Sequence, residues 1–271
     1  MPELPEVETT RRGIASLISG CQIAELELRT DKLRWPLDHG LRDLLPGQSV
    51  QAVERRAKYL LLRCDRGTLI LHLGMSGSLR VIEAGATENK HDHVDLIFTN
   101  GSCLRFNDPR KFGALLWCVG DPAEHPLLAG LGPEPLSEQF HGDYLWRKSR
   151  QRKTTVKQFI MDQKLVVGVG NIYASESLFR AGIRPDLAAG KIGRERYRRL
   201  AAAIKEILTA AIAAGGTTIA DFQQADGKPG YFKQQLQVYG RDGEPCPLCQ
   251  QSISCVRLGQ RSTYFCRRCQ R

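Results

Sequence analysis

Cys246-Pro247-Leu248-Cys249, then sixteen residues, then Cys266-Arg267-Arg268-Cys269: this closing stretch decides how the chain is divided. Two Cys-x-x-Cys knuckles at that separation offer four thiolates with the spacing of a closed tetrahedral zinc site. Four protein ligands leave no open position, so the metal is structural and carries out no hydrolysis. Between the knuckles, Ser252–Leu258 and Ser262–Phe265 read as two strands joined by Gly259-Gln260-Arg261. The result is a zinc-ribbon-like hairpin with Arg261 near its tip. Residues 239–271 hold six basic and two acidic side chains, a balance of +4 that becomes about +2 with four thiolates around one zinc. Such a ribbon meets a polyanion, or only buttresses the fold or binds protein.

Upstream of the ribbon the pattern is helical over Asp143–Arg150, Val156–Asp162, Ile172–Ala181 and Arg194–Ala214, ending at Gly215-Gly216. Residues 147–157 carry Arg147, Lys148, Arg150, Arg152, Lys153 and Lys157 with no acid, which is either a solvated face or a phosphate-contacting one. Val167-Gly168-Val169-Gly170-Asn171 precedes a helix start, with Asn171 expected at the N-cap, where backbone N–H groups suit a phosphate oxygen. It is no dinucleotide fingerprint, because the glycine spacing and a strand–helix–strand frame are lacking. Asp226-Gly227-Lys228-Pro229-Gly230 reads as a flexible loop.

Gly132-Pro133-Glu134-Pro135 breaks the pattern as a linker, and before it lie short β-type runs. These are Ile23–Leu28, Tyr59–Cys64, Thr68–Leu73, Ser78–Ile82, Val94–Thr99, Ser102–Phe106 and Ala114–Val119, separated by turns such as Asp65-Arg66-Gly67 and Asn100-Gly101. Seven or more such strands predict an antiparallel sandwich or barrel. Two loops within this region combine Met75, Arg110 and Phe112: His72-Leu73-Gly74-Met75-Ser76-Gly77 and Asn107-Asp108-Pro109-Arg110-Lys111-Phe112-Gly113. Apolar groups with a guanidinium suit a wedge into a base stack, although a methionine in such a turn is also a common core residue.

At the start, Leu4, Val7, Ile14, Leu17 and Ile18 have helical spacing, with Glu3, Glu6 and Glu8 in the first two turns. Once Met1 is removed, Pro2 presents a free secondary amine at the helix's positive end, with a carboxyl group next to it on Glu3 and another a turn away on Glu6. An amine nucleophile with acid/base partners has this layout. So does an ordinary helix start, for which Pro and Glu are common first-turn residues.

The chain has 271 residues, enough for two modest domains or one large one, and its 42% hydrophobic and 25% charged content is ordinary for a globular protein. No apolar run approaches the roughly 18 residues of a membrane span, and the acidic N-terminus is no secretory signal. The net charge of +10 favours a polyanionic partner. Nine cysteines without a secretory signal argue against a disulfide framework. Cys21, Cys64, Cys103, Cys118 and Cys255 read as small core residues.

Taken together, the chain resembles the bacterial formamidopyrimidine-DNA glycosylase family, enzymes that excise 8-oxoguanine and ring-opened purines. The resemblance runs from Pro2–Thr9 through Arg56-Ala57-Lys58-Tyr59-Leu60, His72–Gly77, Lys90-His91-Asp92-His93, Asp108-Pro109-Arg110, Leu165–Glu176 and Gly227–Phe232 to the four cysteines. It implies an α+β multidomain fold: an N-terminal antiparallel β-sandwich with an N-terminal helix (1–131), a linker (132–150), a helix-two-turns-helix domain (151–238) and the zinc ribbon (239–271), with DNA in the cleft. The segment Thr217–Tyr239 would cap an extruded base.

The implied reaction is bifunctional base-excision repair. Pro2 attacks C1′, Glu3 supplies a proton, Glu6 holds the flipped nucleotide or shapes the acid/base network, and Lys58 and Arg261 serve β- and δ-elimination. The implied DNA contacts are His72, His91, Arg110, Arg152, Asn171 and Tyr239, with Met75, Arg110 and Phe112 filling the hole left by the flipped base. Lys111 stands where relatives often have arginine, and Arg152 falls where they carry lysines. The expected cofactor is one structural zinc with no organic cofactor. The expected partner is damaged double-stranded DNA and no membrane, for a monomer in the cytoplasm at the nucleoid. The rivals are an endonuclease VIII-type glycosylase for oxidised pyrimidines and a non-catalytic zinc-ribbon DNA-binding protein. Leu4 and intact Met75-Ser76-Gly77 with Arg110 and Phe112 count against the first, and intact Pro2-Glu3 with Lys58 against the second.

Overall fold

The first helix is fixed by its own opening residues. Helix α1 (Leu4–Ile18) begins after an extended Glu3, with Pro5 in its first turn, where a missing N–H costs nothing. Its apolar face of Leu4, Val7, Ile14 and Ile18 is buried. Glu6 and Glu8 are buried as well, so the acids of the first two turns do not form a solvated face. Leu17, expected on the apolar face, is 52% exposed. The helix closes at Ser19, whose N–H donates to Ala15 O, and the chain turns through Gly20 at φ +81°.

In a computed structural model, residues 2–216 and 235–271 are described, and they form two compact units. The first gathers residues 2–129 and 214–216, and the second residues 130–213 and 235–271.

In the first unit α1 is followed by β1 (Ile23–Leu28), α2 (Leu41–Leu44), β2 (Val50–Arg56), β3 (Tyr59–Cys64), β4 (Gly67–His72), β5 (Ser78–Glu83), β6 (Asp92–Phe98), β7 (Ser102–Asn107) and β8 (Ala114–Cys118). Two four-stranded antiparallel sheets result, ordered β1-β6-β7-β5 and β2-β3-β4-β8. One core cluster draws Leu26, Val94, Leu96 and Leu104 from the first sheet and Leu60, Leu62, Leu69 and Leu71 from the second, which makes the unit a sandwich. α1 packs against β2 and β5. The seven expected strands are present within two residues at either end. The eighth, β2, adds a strand that the sequence reading did not name.

The second unit contains α3 (Gly142–Ser149), α4 (Val156–Met161), α5 (Asn171–Arg180), α6 (Arg194–Ala213) and the antiparallel hairpin β9 (Ser254–Leu258) with β10 (Arg261–Phe265). α6 packs on α3 and α5, and α5 packs on α4 and β10. Thr155 caps α4 by accepting the Gln158 N–H at 3.3 Å, an interaction contributing about 1 kcal/mol. The N-cap of α5 is Gly170, and Asn171 is the first helical residue, so the helix starts one residue earlier than expected. Among the five stray cysteines Cys64, Cys103 and Cys118 are buried, Cys21 is half-buried, and Cys255 is exposed, contrary to its reading as core. No helix among the described residues is long and apolar enough to cross a membrane. The loop centred on Asp226–Gly230, with most of the expected capping segment, lies outside the described residues.

Candidate functional site

The N-terminal residues are arranged by the start of α1. Pro2 is buried just ahead of Glu3, the N-cap, whose φ is −100°. Glu6 Oε2 accepts the Glu3 backbone N–H at 2.8 Å, and Glu3 caps the Glu6 N–H in return, a capping box of two buried carboxylates. The two carboxylates meet the positive end of α1, the end at which an amine on Pro2 would stand. An amine so placed, next in the chain to a carboxylate, has what a nucleophile needs. Gly216 lies against the same acid: a Cβ there would stand 3.2 Å from Glu6 Cγ and Oε1.

Lys58 belongs to another element. It is the second residue of the two-residue turn between β2 and β3, where Arg56 pairs with Tyr59, and it is buried. Ala57 before it has φ +56°, a left-handed conformation that an alanine adopts at a cost. Tyr59 pairs with His72 across β3 and β4, their rings 4.8 Å apart, so Lys58 and His72 share one end of that sheet. Burial, followed by the charges of Lys58 and Arg34, brings the His72 imidazole down to about 4, which leaves it neutral at pH 7. Its Nδ1 accepts the Gly74 N–H at 3.0 Å, so the ring proton is on Nε2 as a donor.

The two wedge loops meet, and Asp108 joins them. Its fully buried carboxylate accepts Ser76 Oγ–H at 2.9 Å from one loop. From the other it accepts the Arg110 N–H at 3.3 Å and the Gly113 N–H at 2.7 Å. Gly74 must be glycine on two counts: its φ is +65°, and a Cβ would lie 2.4 Å from the Phe112 carbonyl carbon. The Arg110 guanidinium stacks 5.0 Å from the Phe112 ring centroid. Arg110 is exposed, Phe112 is 45% exposed, and Met75 is half-buried. Arg34, His72, Met75, Lys111 and Phe112 line a cavity of about 510 Å³, part apolar and part cationic. His91 is half-buried on the same assembly, its carbonyl accepting the Asp108 N–H at 3.0 Å, while His93 Nε2–H donates to Asp108 O at 3.1 Å.

In the second unit the interactions converge on the start of β10. Asn171 Nδ2 donates to Ser262 O at 3.1 Å and to the Tyr239 hydroxyl at 3.4 Å. Lys157, which the sequence reading placed in the basic run, is buried and donates to Ser262 O at 3.1 Å and Thr263 Oγ1 at 2.9 Å. It therefore braces the hairpin from inside. Arg261, one residue before Ser262 and paired with Leu258 at the hairpin end, is exposed. Tyr239 packs edge-on against Tyr264 at 5.0 Å. Its backbone N–H and those of Gln237 and Val238 donate to the Glu176 carboxylate at 2.8, 2.9 and 3.0 Å respectively. Burial holds Glu176 above the usual carboxylate range despite those donors. Arg152 has an exposed side chain on a fixed backbone: its N–H donates to Ser149 O and its carbonyl accepts from Gly190.

The four Sγ atoms of Cys246, Cys249, Cys266 and Cys269 all lie within 4.8 Å of one another, with Cys249–Cys266 at 3.4 Å and Cys246–Cys269 at 3.9 Å. Tetrahedral Zn–S bonds of about 2.3 Å require S–S separations near ~3.8 Å, so the cluster fits one zinc. Gln270 supports it from behind, its Oε1 accepting the Cys266 N–H and its Nε2 donating to Ile183 O.

Asp108, Glu176 and the pair of Glu8 and Arg55 are not among the residues to which the sequence assigns a role. Asp108 did carry a signal, since an aspartate ahead of Pro109 commonly bonds backbone N–H groups further along a turn. Glu176 carried none, since its three partners are more than sixty residues away.

Comparison with known proteins gives one consistent picture. Family models match residues 1–115 (formamidopyrimidine-DNA glycosylase N-terminal domain), 131–223 (formamidopyrimidine-DNA glycosylase H2TH domain) and 243–271 (zinc finger found in FPG and IleRS). A formamidopyrimidine-DNA glycosylase of Alkalilimnicola ehrlichii is 61% identical over 277 residues, and one of Methylococcus capsulatus is 58% identical over 271, each with 100% of both chains covered. The crystal structure of the MutM (Fpg) protein of Thermus thermophilus superposes with a TM-score of 0.87 at 37% identity, covering 99% of this chain and 98% of that one. The Lactococcus lactis Fpg (MutM) protein, in a complex with DNA containing N7-benzyl-Fapy-dG, superposes with a TM-score of 0.92 at 35% identity, covering 100% of both chains.

Proposed function

We infer the function from this premise: the chain belongs to the formamidopyrimidine-DNA glycosylase family. It is a base-excision repair enzyme, a DNA glycosylase for oxidised purines and an AP lyase, with damaged DNA as partner and one structural zinc. We propose further that it acts as a monomer in the cytoplasm at the nucleoid, and that the domain limits are 1–131, 151–238 and 239–271 about a linker at 132–150.

The residue roles we propose start from one observation, the amine-bearing residue Pro2 buried ahead of a capping box built from Glu3 and Glu6. The Pro2 nitrogen attacks C1′ of the extruded nucleotide, the glycosidic bond breaks, and the base leaves with the bonding electrons. Glu3 supplies the proton that accompanies base loss or opening of the sugar. With the amine proton lost, the C1′–O4′ bond then opens, O4′ taking up a proton, and leaves an iminium. Being built on a secondary amine, the iminium has no N–H to lose, so the positive charge persists and acidifies C2′–H. Loss of that proton expels the 3′ phosphate, and a second elimination expels the 5′ phosphate.

Lys58 is the acid of the first elimination. Arg261 holds the phosphate in the second, since a guanidinium that stays charged clamps an anion better than it donates a proton. Glu6 keeps the Glu3 backbone in place and shapes the acid/base network. Met75, Arg110 and Phe112 fill the vacated stack, and His72, with its proton on Nε2, donates to a phosphate oxygen. His91, Arg152, Asn171 and Tyr239 make further DNA contacts. Asn171 and Tyr239 do so while bonded to each other.

Borohydride trapping on a duplex with one 8-oxoguanine tests the assignment. Protein with Met1 removed is expected to form a covalent adduct and to leave phosphate on both ends of the gap. Protein retaining Met1, whose proline nitrogen is an amide, is expected to bind the duplex and trap nothing. No adduct from processed protein that still binds would overturn the roles of Pro2 and Glu3. Trapping on oxidised pyrimidine alone would indicate the endonuclease VIII-type specificity.

A further inference from the structure

Pro2, just ahead of the N-cap of α1, and Lys58, in the β2–β3 turn, stand on different supports, and imine chemistry needs their spacing held. One side chain spans both supports. Arg55, near the end of β2, donates from Nε to Glu8 Oε2 at 2.9 Å and from Nη1 to the carbonyl oxygen of Ala57 at 2.9 Å. Glu8 stands on α1 two residues beyond Glu6. Ala57 is the left-handed residue whose carbonyl directly precedes Lys58. Such a conformation persists only where its surroundings hold it, and a guanidinium on its carbonyl is such a hold. The strap is shielded from water: the side chains of Arg55 and Glu8 are 12% and 11% exposed.

We propose that Arg55 is a positioning residue for the lyase reaction: by joining Glu8 on the nucleophile's helix to the Ala57 carbonyl, it sets where Lys58 stands relative to the Pro2 amine. The proposal rests on the roles given to Pro2 and Lys58 above. Arg11 supplies a built-in comparison. It also bonds Glu8, Nη2 to Oε1 at 2.9 Å, but its Nη1 reaches Val53 O at 3.3 Å, within β2 and away from the turn. Arg11 ties the helix to the strand, whereas Arg55 ties the helix to the turn. Lysine cannot replace either fully, because one ammonium does not reproduce the two-pronged reach of a guanidinium.

The test is single-turnover nicking of a duplex carrying a preformed abasic site, with the Kd for that duplex and the melting temperature measured alongside. R55K is expected to nick at least about tenfold more slowly, a modest share of what a ~1 Å misplacement can cost. Its Kd should stay within about twofold of wild type, because only a step after binding is affected. R11K is expected to lose a similar amount of melting temperature yet nick within about threefold of wild type, since the turn is untouched. Should R55K not fold, E8Q removes the charge that anchors the strap and is expected to slow nicking with Kd retained. R55K (or E8Q in its place) nicking at the wild-type rate would overturn the proposal. So would R55K and R11K slowing alike, in proportion to lost stability. A processed wild-type protein that binds abasic DNA and does not nick it would overturn the Pro2 assignment itself, which is a separate result.

Discussion

Three guanidinium groups converge on Glu8: Arg11, Arg12 and Arg55 each donate to its carboxylate at about 2.9 Å. Burial alone would push this acid's pKa up, but the hydrogen bonds from Arg11, Arg55 and Arg12 outweigh it and bring the group down to about 2. The folded value thus lies below the unfolded one, near ~4.3. A depressed carboxylate contributes stability that is fully present above the unfolded pKa and is lost as pH falls through the folded one. Glu8 therefore supports the fold at neutral pH, and its contribution disappears between about pH 4.3 and pH 2. E8Q should be less stable than wild type in urea at pH 7, and the gap should narrow on acidification through that window. A gap that stays constant from pH 7 to pH 3 would show that the charge of Glu8 is not what the three arginines read. Little of this was legible in the sequence. Glu8 reads there as one of three acids in the first two turns, and its partner Arg55 is forty-seven residues away.

Elements set by local signals are legible in the sequence, and those set by long-range contacts are not. Strands β1 and β3 fall on the residues expected, because Ile23–Leu28 and Tyr59–Cys64 are apolar runs between clear turns. Strand β2 went unnamed because Val50-Gln51-Ala52-Val53-Glu54-Arg55-Arg56 has few strong apolar residues. It lies at a sheet edge, where pairing with β3 and packing by α1 decide the outcome. The meeting of the two wedge loops depends on Asp108 reaching Ser76 thirty-two residues back, which no local pattern encodes.

The zinc hairpin shows both cases. Its cysteines and strands are legible from spacing, while its attachment through Lys157 and Asn171 to Ser262 is not. A two-stranded hairpin is marginal by itself, so the metal and these two side chains hold the element that carries Arg261. Cys249→Ala should lose zinc, measured by metal analysis, and weaken DNA binding by about tenfold or more, as expected when a metal-organised element loses its shape. Affinity unchanged in a zinc-free variant would mean that the hairpin buttresses the fold and takes no part in binding.

Over the whole molecule, the net charge of +10 becomes about +8 once four thiolates hold one zinc ion. The structure divides these cations by access. Arg110 in the first unit, and Arg152, Lys153 and Arg261 in the second, are exposed, whereas Lys157 is buried in the protein's own hydrogen bonds. The exposed set is available to phosphates and the buried one is not, so a count of basic residues in the sequence overstates the electrostatic footprint. Phosphate contacts position the duplex and carry no lesion information. In the roles proposed above, recognition of the damaged base falls to extrusion and to the wedge of Met75, Arg110 and Phe112.

The two terms should therefore separate under salt. If about six phosphates are neutralised, affinity for undamaged duplex should fall by roughly 10³ between about 50 and 200 mM salt. Affinity for lesion-containing duplex should fall in parallel, so that the ratio between the two stays nearly flat. Titrations of both duplexes at several salt concentrations check this. A flat dependence for undamaged DNA would contradict phosphate-dominated binding. A ratio that collapses with salt would mean that discrimination itself is made by charge, with Arg110 acting on the backbone rather than in the base stack.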